Sequence, residues 1–252
     1  MHRAWIVAKK DLSEVFGARS TYAYLLVMLL ASSSYFFSYF SIANQLTRQG
    51  ASQATLLAVS RLFLDSIAYI IPVMYSFFAC QTSIPIVVLE KTNRTLESLL
   101  ATPASMRQIW LGKSVAVAFS GTVIGLGLSV FAYLVIALGE VAPRVHHVIA
   151  PPPLAFVSGA IVVPLLVFAV ISLVVQLQLV ISNPRVSNFI FVAVFLVVLG
   201  VLLVSVYSLP GGGLNQTYYV PIFLGIIVVV GAVSNLLSRR LTKERVVLAP
   251  KG

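Results

Sequence analysis

Gly112, Lys113 and Ser114 come closest in this chain to a chemical motif, because Gly-Lys-Ser is how a phosphate-binding loop ends. The first glycine of that motif would fall at Arg107, however, and Trp110 and Leu111 stand where such a loop needs pliable residues. An apolar run follows Ser114 directly, so the triplet reads as the approach to a membrane span. His146 and His147 offer imidazoles to a metal, but no third ligand accompanies them, and adjacent residues on a helix do not face the same way. Cys80 is the only cysteine and falls inside an apolar run, which excludes an intrachain disulfide and a cysteine metal cluster. No carboxylate pair and no nucleophile with its base lies within the apolar runs. The expectation is a chain without enzyme chemistry and without a cofactor of its own.

The chemistry that remains is recognition, and it concentrates in residues 90–113, the longest polar segment between two strongly apolar spans. Thr95 is placed to cap a short helix whose apolar side carries Leu96, Leu99 and Leu100, with Glu97 near the positive end of its dipole. Pro103 ends that helix, since a proline disfavours helical geometry in the residue before it. Ser105 and Gln108 have the spacing of a capping box, so a second helix starts there and runs through Ile109 and Trp110 into the next span. Two helices joined at a proline form a stiff elbow.

Glu90, Thr95, Leu96, Glu97, Leu99, Leu100, Thr102, Pro103, Ser105, Ile109, Gly112 and Lys113 resemble the signature of ATP-binding-cassette (ABC) type-2 permeases. Twelve positions within 24 residues make the match specific, and elsewhere only the overall layout is similar. The resemblance implies that this segment joins the second and third membrane helices, contains the coupling helix and docks on a separate ABC ATPase subunit, two copies per transporter. It further implies a second permease copy or a homologous permease as partner, and export more often than import.

Of the 252 residues, 59% are hydrophobic and only 10% charged, and the mean hydropathy is +1.00. Soluble domains of this size are not so apolar. Apolar runs of about 20 residues recur, enough to cross a hydrocarbon core of about 30 Å as helices. They are continuous and end at charges, whereas strands of a membrane barrel would alternate. The expected fold is therefore all-α: one polytopic permease domain over residues 1–252, with spans at about 21–43, 67–89, 114–138, 154–181, 188–209 and 218–237. An amphipathic interfacial helix is expected over residues 1–20, where Trp5, Ile6, Leu12, Val15 and Phe16 recur among Arg3, Lys9, Lys10 and Arg19.

Several smaller expectations follow from the same reading. Tyr35 and Tyr39 suit an interfacial belt at the far end of the first span. Residues 44–66 read as a polar connection, with Arg61 and Asp65 one turn apart. Pro72 and Pro85 are expected to shape the second span, and Gly121, Gly125 and Ser129 form a small-residue face on the third that favours close helix contact. Residues 139–153 read as a solvated loop. The fourth span is the longest, holds Pro164, and carries Gln176 and Gln178 near the inner interface. Residues 211–213 form a glycine turn, and Asn215, Gln216 and Thr217 spell a glycosylation sequon on which nothing is built.

Six spans put both termini on one side, and that side carries fourteen of the seventeen Lys and Arg residues; Arg48, Arg61 and Arg144 lie opposite. The positive-inside rule then makes the termini and the elbow cytoplasmic, in the cytoplasmic membrane. The net charge of +10 sits in clusters beside spans, which points to membrane lipids and not to nucleic acid. An ATP-independent secondary transporter or channel is the alternative, but its ionisable groups belong in mid-span, where this sequence has none. A non-transporting scaffold would leave the elbow without a task.

Overall fold

The computed structural model describes residues 2–92, 104–180, 184–207 and 216–240. Among them every regular element is helical and no strand occurs. The chain begins with α1 (His2–Gly17) and α2 (Arg19–Arg48). Between them Ala18 is extended, and the buried Thr21 Oγ1 donates to the Val15 carbonyl at 2.6 Å, fixing the junction.

The turn after α2 is tighter than the sequence reading expected. Gly50 adopts φ +70, its N–H bonds to the Thr47 carbonyl at 3.1 Å, and the Ala51 N–H reaches the Leu46 carbonyl at 3.0 Å. This paired pattern closes a helix on a left-handed glycine. The Ser52 hydroxyl then accepts from the Thr55 N–H at 3.2 Å, and α3 (Gln53–Thr92) begins. The polar connection expected over 44–66 is thus a turn of a few residues, because Gly50 and Ser52 supply both the stop and the start. At about 1.5 Å per residue the 40 residues of α3 span roughly 60 Å, twice the hydrocarbon core. The helix runs unbroken past Pro72 and Pro85.

Next comes α4 (Met106–Ile136), continued by the π segment π1 (Ala137–Val141) and the short α5 (Ala142–Val145). The expected loop from residue 139 is therefore helical as far as Val145. Arg144 locks this end: it donates to Glu140 at 2.8 Å and to Asn44 Oδ1 at 2.8 Å, and its guanidinium lies 5.1 Å from the Phe40 ring centroid. After a short loop follow α6 (Pro153–Val157), π2 (Ser158–Val162) and α7 (Val163–Val180), one continuous rod. Each π segment ends two residues before a proline, Pro143 or Pro164. The carbonyl that a proline ring would strike, four residues back, lies inside the π segment, and the wider turn gives the ring room. The longest rods are thus the second and third spans, not the fourth.

The last elements are α8 (Pro184–Tyr207), where the fifth span was expected, and α9 (Gln216–Arg240). Five helices among the described residues are long and apolar enough to cross a membrane: Thr21–Arg48, Gln53–Gln81, Met106–Val145, Pro153–Leu179 and Tyr219–Arg239. The molecule is an all-α polytopic membrane protein. Its main core gathers Phe77 of α3, Ile109 and Val117 of α4, Leu166 and Val170 of α7 and Phe223 of α9. A second cluster, including Tyr39, Leu64, Ile71, Ile136 and Val141, closes the opposite end. Tyr39 is buried there and bonds Ser60 Oγ at 2.7 Å, so it packs α2 on α3 and does not join a headgroup belt.

Candidate functional site: the base of the second and third spans

Of the residues expected to couple to a partner, Thr95, Leu96, Glu97, Leu99, Leu100, Thr102 and Pro103 lie outside the described residues, as do 211–213, Asn215 and the tail beyond Arg240. Glu90 falls in the last turns of α3. Ser105 stands directly before α4 and forms the expected capping box: its hydroxyl accepts from the Gln108 N–H at 3.3 Å, and its own N–H donates to Gln108 Oε1 at 3.0 Å. The capped helix starts rigidly at its first turn.

From this base α3 and α4 rise as a tightly packed pair. Gly121 and Gly125 face Ser76 and Cys80 so closely that a Cβ on either glycine would approach these residues nearer than 3.0 Å. The small-residue face expected on the third span is therefore real, and its partner is α3. Cys80 is buried in the seam, where its thiol donates to the Val117 carbonyl at 3.6 Å.

Gly112, Lys113 and Ser114 lie inside α4, so they form no loop around a phosphate. Lys113 is instead fully buried, and its ammonium meets Asp11 Oδ2 of α1 at 3.2 Å. Ala8, Asp11 and Val15 make up the buried face of α1, while Trp5, Ile6 and Phe16 point outward. Sequence reasoning placed α1 at the interface but missed this pair. Its partners are 102 residues apart, so no periodicity links them. The available signal was a lysine and an aspartate bordering apolar residues, since a buried charge requires a partner.

On the opposite end, Arg61 and Asp65 of α3 line an open cavity of about 530 Å³ together with His147. His146 closes α5 in the left-handed region, φ 56, and both histidines are exposed. No group of three or more metal-ligating side chains converges among the described residues. Gln176 and Gln178, expected near an interface, are buried within the bundle.

Long apolar helices, a close-packed second and third span and a capped start to the third define a multi-pass membrane protein. The chain belongs to the ABC-2 family transporter proteins, whose family model matches residues 5–221 and so includes residues 90–113. It is a membrane permease of an ABC transporter; that family is not itself catalytic and normally works with an ABC ATPase. No curated protein matches the chain.

Proposed function

We propose that this chain is the membrane half of an ATP-driven exporter of the cytoplasmic membrane, paired with a second copy or a homologous permease above two ABC ATPase subunits. Closure of the ATPases pushes the helix carrying Leu96, Leu99 and Leu100. The elbow passes that displacement to α3 and α4, and a path at the permease interface changes the side to which it opens. Leu96, Leu99 and Leu100 fill a cleft on the ATPase, Glu97 contacts its rim, and Pro103 sets the elbow angle. Glu90, Thr95, Thr102 and Ser105 frame the two ends of the moving segment.

The glycine seam carries this reading. Because α4 meets the backbone of α3 at Gly125 without intervening side chains, a push at their shared base moves both helices as one unit. The buried Asp11–Lys113 pair ties α1 to the same base. The test is Leu99→Asp with Leu100→Asp, assayed by co-purification with the partner ABC ATPase. Each buried leucine contributes about 1.5–3 kcal/mol. The double variant should therefore lose association by more than about a hundredfold while inserting normally. Retained association would count against the assignment.

A further inference from the structure

A groove opens between α4, α7 and α9. It lies at the end of the bundle where α4 begins and α9 finishes, with a volume of about 270 Å³. Its lining changes character along its length. Arg107, Asn235 and Ser238 stand at the base, whereas Leu165, Phe168 and Ile227 stand further in. From Ser238 to Ile227 is eleven residues of α9, roughly 16 Å of rise. That distance crosses the polar layer of a bilayer, about 5–8 Å on each side, and continues into hydrocarbon.

The floor of the groove is polar and buried. Ser172 and Ser234 line it, their hydroxyls 3.1 Å apart, and Gln176 Nε2 donates to Ser234 Oγ at 2.9 Å. Gln176 is fully buried, yet its Oε1 has no hydrogen-bond partner. Gln176 lies behind this floor, and its amide holds the Ser234 hydroxyl in place. The cation in the lining is Arg107, and among the described residues no carboxylate lines the groove. A basic mouth, hydroxyls below it and apolar walls deeper still match an amphiphile with an anionic head.

We propose that this groove holds an anionic glycerophospholipid by its headgroup. Arg107 faces the phosphate, the Ser172 and Ser234 hydroxyls meet the rest of the headgroup, and Leu165, Phe168 and Ile227 receive the start of an acyl chain. Pockets that enclose a whole small ligand run to about 300–1,000 Å³, so this volume suits a head and the upper chain, with the remainder left among the surrounding lipids. Free phosphate would leave the apolar half unused.

The experiment reconstitutes the full chain in nanodiscs of equal phosphatidylglycerol and phosphatidylcholine with matched chains, then identifies the retained lipid by native mass spectrometry. Phosphatidylglycerol should be retained over phosphatidylcholine by on the order of fivefold, the effect of one basic residue at a membrane surface. Arg107→Gln should bring the two to parity and Arg107→Lys should keep most of the preference. Arg107 is exposed, so neither change threatens the fold. Gly231 also lines the groove and has open space around its Cβ position, so Gly231→Leu fills the groove without a backbone clash and should lower retention of both lipids. Equal retention by the unmodified chain, an unchanged preference in Arg107→Gln, or full retention in Gly231→Leu would each overturn the proposal.

Discussion

At the residue scale, the Asp11–Lys113 pair ranks among the most consequential contacts for stability. Desolvating two charges costs several kcal/mol for each, and a buried pair offsets this only while both partners stay. Lys113→Met alone leaves the Asp11 carboxylate among buried neighbours and should destabilise the chain by about 3–5 kcal/mol. Adding Asp11→Leu removes the other half of the pair and should restore part of the loss. Thermal unfolding in detergent checks this, and a double variant no more stable than the single would contradict it. How far such detail was legible depends on range. The Ser105–Gln108 box could be read because donor and acceptor sit three residues apart, within one turn. Asp11 and Lys113 could not be paired from sequence, because only the packing of α1 on α4 brings them together.

At the scale of elements, the glycine seam sets the spacing of the second and third spans. A methyl at Gly125 would meet the Ser76 backbone, which cannot swing aside as a long side chain would. Gly125→Ala should therefore force α3 and α4 apart at a cost of about 1–3 kcal/mol. Gly127, two residues on, has nothing within 4 Å of its Cβ position and lies on the exposed side of α4. Gly127→Ala should leave stability unchanged or raise it by up to about 1 kcal/mol through helix propensity. Equal midpoints for the two variants would remove the seam from the mechanism. The sequence exposed this seam because small residues four apart share one helix face. It hid the true start of α3, since hydropathy follows the oily part of a helix, whereas Gly50 and Ser52 set its end through backbone geometry. The π segments were equally hidden: Pro164 marked the fourth span without saying that a wider turn would absorb it, and Pro143 lay in a stretch read as loop.

At the scale of the whole molecule, charge and polarity share one axis. The end bearing α1, Ser105 and the close of α9 carries most of the cations, and the lipid groove opens its basic mouth there. The opposite end carries Arg48, Arg61 and Arg144, the last neutralised by Glu140. Crossing a bilayer the wrong way round would carry this cationic end outward, which the positive-inside rule disfavours. Orientation can be read directly, because the chain's only cysteine, Cys80, is buried and gives an impermeant maleimide no target. Ser13 and His147 are exposed at opposite ends of the bundle. His147→Cys should be labelled on intact cells, and Ser13→Cys only after the membrane is permeabilised. The reverse pattern would place the elbow on the outer surface, beyond the reach of any cytoplasmic ATPase. It would also move the basic mouth of the groove to the outer leaflet, so one labelling experiment bears on both the engine and the lipid.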